Sequence, residues 1–536
     1  MEKKEKPSLK VIPYAKARNT LSLREKVGQF FMPAAFINDT EEEISALENL
    51  VAEGAVGGIC FFHSRASAAT NFEGKKKVIY NAESYEVLKS LISRYQQAAK
   101  YPLLISIDAE WGLAMRIEET PQYPHAMTLG AAKDPSLVYE IARSIGRDCR
   151  TAGIHWNFAP VADINSNPEN PVIGYRSFGS NKEEVRICAT AFSKGLQDAG
   201  ILSCAKHFPG HGDTATDSHL YLPVLKKSES DLLKEELIPF NALISQGVDA
   251  IMVGHIAVPA LTGGQSISAS VSGEIIGTLL KKTLKYEGVV VSDALNMHSV
   301  SKSYPEKGSL EWAAFNAGTD VLCFAENVRD GIEQISSHAT ESQVEESFKK
   351  VWELKEKGIN SKMPAADRLS SPLKLNKKLA GKCLTLFRGS EKEIQKFRQH
   401  GYDTITLGMD KKSVFLEEIG IKPERSFVID KGKSFRKIQE EIGSQKQLLI
   451  AVYPPKAKPQ EAFGIDSLEL EILIELLRNY DTVLYLFGNP YFLRLLPIEV
   501  TKAVVIAYQN LDGFESVAAD HFLGNFTASG TLPVQL

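Results

Sequence analysis

No stretch of this chain is long and apolar enough to span a bilayer, and its start, Met1-Glu2-Lys3-Lys4-Glu5-Lys6, contains no apolar core of a secretory signal. These absences point to a cytoplasmic protein without a membrane span, or to a periplasmic one already stripped of its leader. Cysteine is scarce. Cys60, Cys149, Cys188, Cys204, Cys323 and Cys383 show no paired spacing and mostly sit in apolar segments, so they read as small buried hydrophobes rather than a disulfide framework or a metal clip. An excess of one charge is also missing: 62 Lys+Arg against 66 Asp+Glu leaves a net charge of −4, which argues against a nucleic-acid partner. At 536 residues the chain is too long for one ordinary core, so two or three domains are expected, in a monomer.

What is present is periodic. Apolar runs at 29–35, 54–62, 103–107, 154–161, 201–206, 248–254, 288–292 and 319–325 alternate with amphipathic helical stretches. Asp134-Pro135 opens one such helix, Leu137, Val138, Ile141, Ala142, Ile145 and Cys149 line its face, and Gly153 stops it. Gly200 and Gly247 end the next two units at the same interval, each followed by a β-branched residue. Eight such units predict an α/β fold of the (β/α)8 TIM-barrel type. Asp108, Asp163, His207, His255 and Asp293 each stand at the end of a different run, where such a barrel places its site. The barrel is expected over residues 1–355. A polar, breaker-rich linker follows at 356–375, then a second α/β sandwich domain at 376–536. Leu468, Leu470, Ile472, Leu473, Leu476 and Leu477 form the clearest helix face of that domain, which has no comparable cluster of catalytic residue types.

The densest chemistry is Lys206-His207-Phe208-Pro209-Gly210-His211-Gly212-Asp213-Thr214-Ala215-Thr216-Asp217-Ser218-His219. Gly and Pro forbid a long regular element there, so these groups ride a loop at a strand end. Asp217 and His219 are close enough for a carboxylate to orient and charge an imidazole, the arrangement of a proton-transfer catalyst. Three histidines also raise a metal site, but their spacing matches neither a helical H-E-x-x-H pair nor a zinc knuckle. A solvated polar loop without chemistry is the other alternative.

This run resembles the K-H-F-P-G-H-G-x(4)-D-S-H motif of family 3 glycoside hydrolases, in the form of the β-N-acetylhexosaminidase branch. The resemblance implies that Asp217 and His219 supply the acid/base. Val289-Val290-Val291-Ser292-Asp293-Ala294-Leu295-Asn296-Met297 resembles the family's S-D-x-x-x-M segment, which implies Asp293 as nucleophile; a helix N-cap is the structural alternative. Asp108-Ala109-Glu110-Trp111-Gly112 resembles D-x-E-G-G with Trp111 in place of the first glycine. Arg116 matches a substrate-contacting arginine, and Gly174-Tyr175-Arg176-Ser177-Phe178 resembles G-x-R-S-F. Asp108, Arg116, Arg176, Lys206 and His207 are therefore the implied sugar-binding set, while Asp163 and His255 read equally as positioning or structural groups. The closing Ala528-Ser529-Gly530-Thr531-Leu532-Pro533-Val534 resembles the end of the sandwich that follows the barrel in many family 3 enzymes.

The resemblance implies a retaining exo-β-N-acetylglucosaminidase that uses no metal or organic cofactor and acts on GlcNAc-containing muropeptides of cell-wall turnover or on chitooligosaccharides. Three alternatives stand beside it. A β-glucosidase would leave the Asp217–His219 loop unexplained. A β-N-acetylglucosaminide phosphorylase would profit from an acid that carries no negative charge to repel phosphate. A non-catalytic sugar-binding barrel is disfavoured by the intact Asp217, His219 and Asp293.

Overall fold

The computed structural model describes residues 10–63, 80–215, 221–363, 365–409, 412–422, 425–430 and 432–536. It divides into two compact units. The first comprises Met1–Tyr123, Val138–Ile164 and Arg186–Ser370; the second comprises Pro124–Leu137, Asn165–Val185 and Ser371–Leu536.

The first unit holds strands β1 (Phe31–Met32), β2 (Ala34–Phe36), β3 (Gly58–Phe62), β4 (Leu104–Ile107), β5 (Trp156–Asn157), β6 (Cys204–Phe208), β7 (Ala250–Val253), β8 (Val289–Ser292) and β9 (Leu322–Cys323). Each overlaps one of the apolar runs read from the sequence, with β2 and β6 running one and two residues past their ends. All their pairings are parallel: β2-β3-β4-β5, β6-β7-β8 and β1-β9. Parallel bridges Trp156–Leu202 and Val161–Lys206 join β5 to β6, and Val291–Val321 joins β8 to β9. Pro33, which has no N–H to give, separates β1 from β2. The strands are buried along their length, as expected of parallel sheets covered on both faces, so they read as unbroken apolar runs without alternation. Their few polar members are Ser106, Asn157, Lys206, His207 and Ser292, none of them at the start of its strand.

The helix Pro135–Thr151 begins where Asp134 Oδ1 accepts the Leu137 N–H at 3.1 Å. The helix Glu341–Ile359 runs past residue 355 into the stretch expected as linker. From there to the helix Leu373–Cys383, the described residues form no helix or strand.

The second unit is built on one sheet of six strands: β10 (Thr385–Arg388), β11 (Asp403–Leu407), β12 (Ser426–Ile429), β13 (Gln447–Val452), β14 (Asp481–Leu486) and β15 (Ala503–Ile506), in the order β10-β15-β14-β13-β11-β12. Only β10 is antiparallel to its neighbour. The helix Ser467–Asn479 starts on a capping box of Asp466 with Glu469 and buries Ile472, Leu473, Leu476 and Leu477. Leu468, expected on that face, is instead exposed in the first turn. The chain end packs into the same unit, with the Gly530 N–H on Leu384 O at 2.9 Å and the Ser180 N–H on Pro533 O at 3.0 Å.

One buried group in the first unit is unusual. Lys355 is fully buried, its ammonium donates to the Gln29 side-chain oxygen, and it lies 5.2 Å from the centre of the Trp352 ring. Burial pulls its pKa down to about 7. His155 nearby is held at about 4 by burial and by Arg150 and Lys355, and its Nδ1 accepts the Ile105 N–H. The unfolded chain therefore binds a proton at Lys355 between pH 7 and its ordinary pKa of about 10.4, while the folded chain does not. Stability contributed by this group rises with pH across that window, by up to roughly 1.4 kcal/mol per pH unit. Lys355→Met should gain on the parent chain as pH falls from 10 to 7, and the gain should level off below 7. Chemical denaturation at several pH values measures it; a difference independent of pH would exclude a depressed Lys355.

Candidate active site

Chemistry-bearing side chains gather at the C-terminal ends of the first unit's strands. The segment after β4 is clamped by Asn157 on β5, whose side chain accepts the Ala109 N–H at 2.9 Å and donates to Ala109 O at 3.0 Å. A Cβ on Gly112, at φ +94°, would lie 2.7 Å from Pro121 O, so glycine is required there. Trp111 keeps an ordinary negative φ, and its carbonyl accepts the Tyr123 N–H at 2.9 Å. The loop thus needs its second glycine, and tryptophan fits the position of the first.

Asp108 is the hub of this side. Its Oδ2 meets Arg116 Nη2 at 3.0 Å and its Oδ1 meets Lys206 Nζ at 2.7 Å. Lys206, 1% exposed, also pairs with Glu110 Oε1 at 2.8 Å. Burial pushes the Asp108 carboxyl up, but Lys206 and Arg116 outweigh it and hold the pKa below the usual range. The Arg116 guanidinium lies 4.0 Å from the centre of the Phe62 ring, which holds its plane. The structure thus brings Asp108, Arg116 and Lys206 together. It adds Glu110, which sequence reasoning quoted within a motif and did not single out.

The ladder between β6 and β7 shifts between Ala205 and Phe208, so the strand leaves its regular alternation where Lys206 and His207 sit. Asp163, wholly buried, receives this segment. Its carboxylate accepts His207 Nδ1 at 2.7 Å, the His207 N–H at 3.2 Å and the His211 N–H at 2.8 Å. Burial would raise its pKa, but His207 and these hydrogen bonds hold it low. His211 Nδ1 pairs with Thr214 Oγ1 at 2.7 Å. Burial and the neighbouring His207 lower the His211 pKa to about 4. Asp217 and His219 lie outside the described residues.

Asp293 follows β8, half-buried, with its N–H on Val253 O at 2.9 Å. Its Oδ1 accepts the Ala294 N–H at 2.8 Å, and the next helix begins only at His298, so Asp293 is not an N-cap. Burial works to raise its pKa. His207, His255, the Ala294 N–H and Lys206 overcome that and bring it to about 2. His255, fully buried, donates from Nε2 to Ala294 O at 2.9 Å while Nδ1 meets Ser270 Oγ at 2.7 Å. It therefore fixes the backbone directly after the nucleophile candidate. The arrangement offers an ionised carboxylate at the end of β8 and, around it, charged and hydrogen-bonding groups suited to hydroxyls.

Arg176 belongs to the second unit, on the single turn Gly174–Arg176. Asn165 shapes the segment by accepting the Gly174 N–H at 3.2 Å and donating to the Tyr491 hydroxyl at 2.7 Å.

Comparison with known proteins identifies the family. A β-hexosaminidase A from Pseudoalteromonas piscicida is 34% identical over 301 residues, 53% of this chain and 48% of that protein, so the match spans about half the relative's length. A β-hexosaminidase from Haemophilus influenzae is 34% identical over 263 residues, 48% of this chain and 72% of that protein. The solved structure of a glycoside hydrolase family 3 β-N-acetylglucosaminidase from Paenibacillus sp. FPU-7 superimposes with a TM-score of 0.78 at 28% identity, covering 96% of this chain and 99% of that one. Residues 22–354 match the family described as glycosyl hydrolase family 3, N terminal domain. A stretch of that extent, containing the Asp108, Lys206 and Asp293 positions, makes this chain a member of glycosyl hydrolase family 3.

Proposed function

We propose that this chain is a retaining exo-β-N-acetylglucosaminidase built on a closed (β/α)8 barrel, releasing terminal GlcNAc from muropeptides or chitooligosaccharides. Parallel pairing in chain order from β2 to β9, with β9 pairing back to β1, supports the barrel. The ionised Asp293 at the mouth of β8 carries the functional reading. Names of the relatives support the sugar: two are β-hexosaminidases and the structural neighbour is a β-N-acetylglucosaminidase.

In this reading Asp108, Arg116, Lys206, His207 and Arg176 bind the hydroxyls and the N-acetyl group of the terminal sugar. An Asp293 carboxylate oxygen attacks C1, the glycosidic C–O bond breaks, and His219 gives its proton to the departing oxygen. Water then attacks C1 of the glycosyl-enzyme, returns a proton to His219 and frees Asp293, so the β-anomer is retained. Asp217 orients the imidazole and raises its pKa above the ordinary value of about 6.5. No step calls on a metal or organic cofactor.

Hydrolysis of p-nitrophenyl β-GlcNAc should far exceed that of the β-glucoside. Free GlcNAc should be the product with or without phosphate; its 1-phosphate would indicate a phosphorylase. Asp293→Asn should lose several orders of magnitude in kcat while its circular dichroism stays that of the parent, and activity within about tenfold of wild type would exclude the nucleophile assignment.

His219→Ala should lose about 100-fold more on a poor leaving group than on a dinitrophenyl glycoside, which needs little protonation, and Asp217→Ala should do so more mildly. With Asp293 ionised from about pH 3 upward, the parent's kcat/KM for a poor leaving group should fall on the alkaline side, as His219 loses its proton. That limb should vanish in His219→Ala. Equal losses for good and poor leaving groups would remove the acid role.

A further inference from the structure

Behind the loop that leaves β6 lies an ion-paired group that the steps above do not use. Glu236 stands immediately before the helix Leu237–Gln246, yet its side chain caps nothing there. It is 2% exposed, Lys227 Nζ pairs with its Oε1, and its Oε2 is buried with no hydrogen-bond partner among the described residues. Burial pushes the carboxyl up in pKa against the pull of Lys227. Lys227 Nζ also reaches Asp213 Oδ2 at 3.6 Å. Gly210, at φ +124°, lies directly on Glu236: a Cβ there would sit 2.7 Å from Glu236 Cγ and 2.9 Å from its Cβ. The loop is thus held from two sides. Asp163 binds the N–H groups of His207 and His211, while Glu236 presses on Gly210 and Lys227 draws in Asp213.

A buried carboxylate with one oxygen unsatisfied costs more than an apolar side chain of the same size, so stability does not explain Glu236. What the pair supplies is a fixed exit for the chain at Asp213, just before Asp217 and His219. We propose that Glu236 and Lys227 form a latch that sets where this loop emerges and so positions its acid over the leaving-group oxygen. They are positioning residues, and the proposal rests on the reading that the loop bears the acid.

The test is the dependence of kcat/KM on leaving group, from dinitrophenyl to phenyl β-GlcNAc, in the full chain. Lys227→Met and Glu236→Gln are compared with His219→Ala, and Lys227→Arg serves as rescue. A latch predicts about a tenfold or greater loss on the phenyl glycoside, less than about threefold on the dinitrophenyl one, and recovery of the parent slope in Lys227→Arg. A merely structural role would depress all substrates alike. A steepened slope in His219→Ala beside an unchanged slope in both latch variants overturns the latch and leaves the acid assignment standing. A steepened slope in the latch variants beside a uniform loss in His219→Ala upholds the latch and moves the acid to another residue of the loop. Uniform losses throughout overturn both.

Discussion

One buried carboxylate, Asp163, gives the region its form. Three hydrogen bonds from His207 and His211 converge on it, two of them from backbone N–H groups. A carboxylate removed from water is tolerated only when its oxygens are satisfied, so the loop can adopt this path or leave a charge stranded. The β6 register shift, the place of Lys206 and the path through Gly210 all follow from that requirement.

The second constraint is electrostatic. Lys206 pairs with Asp108 and Glu110 and lowers the pKa of Asp293, while Arg116 pairs with Asp108. Such buried pairs contribute little net stability, but they fix each group before substrate arrives. Asp293 is held anionic by this field although burial favours its protonated form.

Much of this was legible in the sequence because parallel strands buried on both faces leave a distinctive trace. All eight apolar runs of the first unit contain strands. Asp293, Lys206 and Asp108 could be read because each ends such a run. What stayed illegible depends on contacts between distant segments. Glu110 gains meaning only when Lys206, far along the chain, is placed beside it. His255 could be read as a strand-end histidine, but its hold on Ala294 O exists only in three dimensions. The Leu468 face was misread because helical spacing says nothing about where the supporting sheet stops. Trp111 replaces the first glycine of its motif, yet the position that needs glycine is its neighbour Gly112.

The two inserted segments, Pro124–Leu137 and Asn165–Val185, carry a consequence for how such a protein can evolve. Arg176, implied as a sugar contact, travels with the second unit although it lies in the chain between β5 and β6 of the first. Asn165 and Tyr491 are joined by a hydrogen bond across most of the sequence length. Recombination at the natural-looking seam near Ser370 would therefore hand a foreign C-terminal half the task of packing a segment whose partners had been lost. A lineage that sheds the second unit has to find another support for its arginine.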